Sequence, residues 1–155
     1  MFQLIVSIIA VALVAALAGA SIFYGGDAFS SGTSKAQATA LINEGQQLNG
    51  AATLYRVDFG QDITDLTDLT SQNYIGQVPP ATESADWAFD SASELFYLDA
   101  TVGEEVCDKV NEASGNTFAD TSDVLPATLL TELDAQAAQY GCLTDTTDRI
   151  VAYKL

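Results

Sequence analysis

The sequence predicts an α+β protein: a long N-terminal α-helix, apolar in its first half, packed on a small antiparallel sheet head with a C-terminal disulfide-closed region. Three observations carry this. No charged side chain occurs before Asp27, and a helical repeat resumes beyond it. Two pairs of aromatic or β-branched segments bracket short runs of turn-forming residues. Two cysteines, Cys107 and Cys142, stand far apart in the second half of a 155-residue chain. A chain of this length builds one ordinary domain rather than two, and here the apolar and charged residues divide it into a helix at 1–26 and a head at 27–155.

The first element is the run from Leu4 to Tyr24, LIVSIIAVALVAALAGASIFY, whose polar members are Ser7, Ser21 and the Tyr24 hydroxyl. As an α-helix it is roughly 31 Å long, the thickness of a bilayer's hydrocarbon core. Three readings compete for it. Ala18-Gly19-Ala20 has the small-residue look of a signal-cleavage site, but no Lys or Arg precedes the apolar run. The remaining two are a simple membrane anchor and a helix that ends up in the core of a filament, and the second accounts better for the helical continuation beyond Tyr24.

Gly25 and Gly26, with Gly19 before them, are expected to loosen or break the helix where it leaves the apolar run. From Ala36 to Arg56 the helical pattern returns, with Ala38, Leu41, Ile42, Gly45, Leu48, Ala52 and Tyr55 three or four apart. A helix that is apolar all round must be buried on every side, whereas an amphipathic one needs a single partner surface. The second half should therefore lie on its own head, leaving the first half for lipid or for a bundle of identical helices.

The head begins with a loop over 57–84, rich in Gly, Pro and Asp, with one helical turn near Ile63 to Leu69. Trp87 to Asp90 and Glu94 to Asp99 read as a strand pair joined by a short turn. Gly103 to Ser114 reads as a helix stopped by Gly115, with Val106, Cys107 and Val110 on one side. After a polar loop from Asn116 to Asp123, Pro126 opens a helix whose face is Leu129, Leu130, Leu133, Ala137 and Ala138. Tyr140 to Leu143 and Arg149 to Leu155 close the chain as a hairpin around 144–148.

Charge excludes several functions. The formal net charge is −16, from 21 acidic and 5 basic residues, with no histidine. Nucleic-acid binding by counterion release needs clustered Lys and Arg, so nucleic acid is not a direct partner. The missing histidine removes the commonest acid–base catalyst and transition-metal ligand. No nucleophile elbow, phosphate loop or metal-protease motif is present. Glu104 and Glu105 point to different helix faces and read as surface charge. Asp58, Asp62, Asp65 and Asp68, or Asp145 with Asp148, offer carboxylate oxygens, but neither group has the glycine and terminal glutamate of a calcium loop. No catalytic residue, cofactor or metal is expected, and the chain does not read as an enzyme.

Cys107 and Cys142 lack the short spacing of a redox or zinc motif. In a head carried outside the cytosol a disulfide is favoured over two free thiols; two buried reduced cysteines acting as small hydrophobes is the other possibility. A loop of about 36 residues closed this way stabilises the head by about 4 kcal/mol in the chain-entropy model.

An apolar helix from the N-terminus, its amphipathic continuation, an antiparallel sheet and a disulfide-closed C-terminal region together resemble the type IV pilins. The helix carrying Val106, Cys107 and Val110 ahead of the last hairpin is closer to their type IVb branch. The resemblance implies a structural subunit of an extracellular filament, a pilus or fimbrium on a bacterial surface. Before assembly it sits in the inner membrane and meets the pilus assembly machinery; afterwards its partner is itself, in a helical homopolymer. In that polymer Leu4, Ile5, Ile8, Ile9, Leu13 and Leu17 fill gaps between helices, and Ala12, Ala16 and Ala20, with Ala10, Ala15, Ala18 and Gly19, allow close approach. The family usually carries a glutamate at its fifth mature residue, where this chain has Ile5; Gln3 is the nearest hydrogen-bonding side chain. Either Met1 is not the mature first residue, or the subunit assembles without that charge pair; the resemblance also implies a leader ending in glycine upstream. The alternative function is a bitopic membrane protein with an extracellular binding head.

Overall fold

A computed structural model describes residues 2–81, 85–121 and 123–155, with the backbone alone at 23–28. Met1, and residues 82–84 and 122 of the two expected loops, lie outside the described residues. The elements in chain order are α1 (Phe2–Phe59), α2 (Leu66–Ser71), β1 (Trp87–Asp90), β2 (Leu95–Leu98), α3 (Glu104–Ser114), α4 (Pro126–Ala135), β3 (Tyr140–Thr144) and β4 (Arg149–Lys154). The architecture is α+β, and the chain divides into two compact units, Met1–Ser34 and Lys35–Leu155.

The interruption expected at Gly19, Gly25 and Gly26 is not there: α1 is one helix from Phe2 to Phe59. Glycine weakens a helix by up to about 1 kcal/mol relative to alanine, but it keeps its N–H and C=O, so the hydrogen-bond ladder continues through it. Only proline would have removed a donor.

In the second unit the four strands form one antiparallel sheet in the order β1-β2-β4-β3. Phe96 pairs with Tyr153 between the central strands, and Cys142 with Val151 between β4 and the edge strand β3. Alternate residues of each strand face opposite ways, and both faces are covered. One side gathers Trp87, Phe96, Leu98, Cys142, Val151 and Tyr153 with Leu41, Leu48, Ala52 and Tyr55 of α1 and Val106, Cys107 and Val110 of α3. The other gathers Leu95, Leu143, Ile150 and Ala152 with Leu129 and Leu133 of α4 and, at its margin, Phe118. This explains why Leu95–Leu98 and Ile150–Tyr153 read as unbroken apolar runs, a pattern expected of strands buried on both faces. The amphipathic stripe of α1 lies against the head as expected, with Ala38, Leu41, Leu48, Ala52 and Tyr55 buried and Ile42 half-buried.

Two glycines permit this packing. A Cβ on Gly45 would stand 2.6 Å from Cδ2 of Tyr153, so α1 can approach β4 only because that atom is missing. A Cβ on Gly141 would collide with the ring of Phe118, which lies across β3.

Local chemistry moves two expected elements. The turn near Ile63 to Leu69 is α2, two to three residues later, because Asp65 caps it: the Asp65 carboxylate accepts from Thr67 N at 2.7 Å, while Asp68 accepts from Asp65 N at 3.2 Å, a reciprocal capping box. Ile63 is buried just ahead of the cap. At the far end, α4 stops at Ala135, so Ala137 and Ala138 are not on its face. Ala137 adopts φ 51°, and the bonds Ala138 N to Leu133 O (2.8 Å) and Ala137 N to Asp134 O (3.1 Å) make a Schellman ending with alanine where glycine is usual.

Candidate assembly surface

The residues singled out for packing lie in the first unit. From Phe2 to Ile22 the helix has a mean hydropathy of 2.6 and none of it is buried within the chain. Leu4, Ile5, Ile8, Ile9, Leu13 and Leu17 are each more than half exposed, and Ala12, Ala16 and Ala20 are exposed as well. At 3.6 residues per turn, Ala12, Ala16 and Ala20 follow Ile5 and Ile9 along one side. A Cβ at Gly19 would meet nothing within 4 Å.

The hydroxyls of this stretch do not ask for outside partners. Ser7 Oγ donates to Leu4 O at 2.9 Å, and Ser21 Oγ to Leu17 O at 2.6 Å. Such back-bonding satisfies a hydroxyl inside its own helix, which is what a segment entering hydrocarbon requires. This is one helix long and apolar enough to cross a membrane.

In the second unit Cys107 of α3 and Cys142 of β3 are joined by a disulfide, with Cα atoms 5.2 Å apart and both residues buried. One turn along α3, Asn111 Nδ2 donates to Cys142 O at 2.8 Å, and Asn111 Oδ1 accepts from Cys142 N at 2.7 Å. An edge strand carries unpaired backbone groups that invite unwanted pairing; Asn111 satisfies both of those at Cys142. Sequence reasoning missed Asn111, and its position one helical turn after Cys107 was the available signal.

The aspartates considered as oxygen ligands are engaged within the chain. Asp58 accepts from Tyr74 Oη at 2.5 Å, a bond that pushes the Tyr74 hydroxyl up to about 12. Asp62 pairs with Arg56, while Asp65 and Asp68 cap α2. Asp145 accepts from Asp148 N and Thr147 N, both at 2.7 Å, and these bonds hold its carboxyl below the usual range. Asp148 accepts from Thr101 Oγ1 at 2.8 Å, and Glu104 pairs with Arg149 at 3.4 Å. Among the described residues no three of Asp, Glu, His and Cys come together as a metal site.

These features define the class: an α+β protein with a membrane-capable N-terminal helix and a disulfide-closed head. Comparison with known families, characterised proteins and solved structures returned no match.

Proposed function

We propose that this chain is a structural subunit of an extracellular type IV pilus-like filament, held in the membrane before assembly and polymerised through its N-terminal helix. The observation that carries this reading is the wholly uncovered apolar surface of Phe2–Ile22 on a chain whose other unit has a complete core of its own. Leaving Leu4, Ile5, Ile8, Ile9, Leu13 and Leu17 alone in water costs on the order of 10 kcal/mol. Lipid covers them in the membrane-held subunit, and equivalent helices of other copies cover them in the filament. The alanine and glycine positions then set how closely neighbouring helices approach.

Assembly of this kind needs no catalytic residue. A contact repeated head to tail, whose rotation does not close, produces a filament. The disulfide and the doubly covered sheet suit a head exposed outside the cell, where reducing systems are absent.

The test is electron microscopy of surface material from cells producing the natural chain or Ala16→Trp. Thin uniform fibres from the first, and their loss in the second with the membrane-held subunit still folded, is the expected result. Normal fibre yield from Ala16→Trp overturns the packing role. A chain that stays dispersed in the membrane is instead the bitopic protein with a binding head.

A further inference from the structure

Four of the five cations are engaged by carboxylates. Arg56 pairs with Asp62 and, at 3.7 Å, with Glu94; Lys109 pairs with Glu112 at 2.6 Å; Arg149 pairs with Glu104 at 3.4 Å; and Lys154 pairs with Asp134. Among the described residues Lys35 is the one cation with no direct ion pair. It is exposed on α1 and rims a groove between α1 and α3, walled by Ala38, Thr39 and Ile42 on one side and Lys109, Glu112 and Ala113 on the other. Glu112 is taken by Lys109, whose ammonium also lies near Glu105 and Asp108, so Lys35 stands at the groove's rim without a carboxylate of its own at ion-pair distance.

Beside it, the outward side of α1 is neutral. Ala36, Ala40, Asn43, Gln47, Gly50, Leu54 and Val57, spaced three or four apart, are all exposed and none is charged. Leu54 and Val57 are 58% and 74% exposed. Gly50 has no reason within the chain to lack a Cβ, since one placed there would meet nothing within 4 Å, whereas Gly45 five residues earlier makes room for Tyr153.

We propose that this neutral ridge and the groove rimmed by Lys35 dock a second copy of the chain, one of whose carboxylates enters the groove and pairs with Lys35. The inference rests on the filament reading for its choice of partner, and charge argues for the same choice. Two bodies of −16 repel wherever acidic surfaces meet, with a screening length of about 8 Å at physiological salt. Contact is then favoured where one body presents neutral or positive surface, and a second copy brings 21 acidic side chains to it. Complementary charge of this kind fixes register between partners more than it adds raw affinity.

The test uses fibres grown from an equal mixture of light- and heavy-nitrogen chains, treated with a zero-length carbodiimide that joins an amine to a carboxylate in contact. Lys109–Glu112 within one chain is the internal control. A linked Lys35–Asp or Lys35–Glu peptide of mixed isotope is the expected product, and Lys35→Glu should lower fibre yield at least tenfold without changing unfolding followed at Trp87. A Lys35 amine left free while the control link forms, or an undiminished yield from Lys35→Glu, overturns the docking. If no fibres form, the filament reading has failed, and the same reagent is applied to the membrane-held chain. A mixed-isotope Lys35 link there sustains the docking by itself, and its absence overturns that too.

Discussion

Gly45 and Gly50 lie five residues apart on the same helix, and the same substitution should have opposite effects at the two. Replacing glycine by alanine in a helix interior gains up to about 1 kcal/mol by reducing the freedom of the unfolded chain. At position 50 nothing opposes that gain, because the new Cβ enters open space. Gly50→Ala should therefore stabilise by about 0.5–1 kcal/mol. At position 45 the new carbon would stand 2.6 Å from Cδ2 and 3.0 Å from Cγ of Tyr153, against roughly 3.5–4.0 Å for a comfortable carbon contact. Those atoms lie at the base of the ring, and the ring is only 4% exposed and stacked 5.6 Å from Tyr140, so it has little room to swing away. Overpacking of this kind costs about 1–3 kcal/mol. Net, Gly45→Ala should destabilise by about 1 kcal/mol and separate the two variants by about 2 kcal/mol. Urea unfolding of the full chain in detergent, followed by the fluorescence of the single tryptophan Trp87, reads the head directly, since Trp87 is buried in β1. With a slope of about 1–3 kcal/mol per molar urea, the midpoints should differ by roughly 1 M. Equal stabilisation by both substitutions would refute the claim that Gly45 makes room for β4.

The geometry sets four further outcomes. Reduction should add the mass of two hydrogens and destabilise the head by up to about 4 kcal/mol, and two freely alkylated thiols in denatured, unreduced chain would contradict the Cys107–Cys142 bond. Ala137→Gly should stabilise by about 0.5–1 kcal/mol, because alanine is strained at φ 51° in a Schellman ending; lower stability in the same urea assay would argue against that backbone. Burial raises the Glu44 pKa, only partly offset by the bond from Trp87 Nε1 at 3.1 Å, so the folded chain holds a proton that the unfolded chain releases. Its contribution to stability is thus present below the unfolded value and lost as pH rises through the folded one; in Glu44→Gln that step should vanish, and identical pH profiles would count against it. Ile5→Glu should change fibre yield much less than Ala16→Trp, and a manyfold rise would mean that apolar packing alone is insufficient at that position.

The helices and strands were largely legible because each carries a local signal. Trp87–Asp90 is bounded by turn residues and Glu104–Ser114 by Gly115, which takes the left-handed φ of 72° that a helix stop favours. What stayed hidden depended on distant partners. Nothing near Leu95–Leu98 reveals that α1 will cover one side and α4 the other, and the position of Asn111 one turn after Cys107 points to the backbone of Cys142 only once the disulfide is known. The glycines misled in both directions. Gly25 and Gly26 looked like a break yet lie within a helix whose backbone ladder they leave intact, while the role of Gly45 depends on a tyrosine more than a hundred residues away. For the assembly surface, the sequence marked which residues are apolar, and the structure adds that Phe2–Ile22 is exposed along its length.

The central claim is that copies of this helix cover one another, and helical reconstruction from cryo-electron microscopy of sheared surface fibres tests it most directly. The account predicts a core of packed α-helices whose side-chain density fits Phe2–Ile22, with acidic heads outside. Fibres whose core is built from any other segment, or this chain found only as dispersed membrane-held subunits, would contradict it.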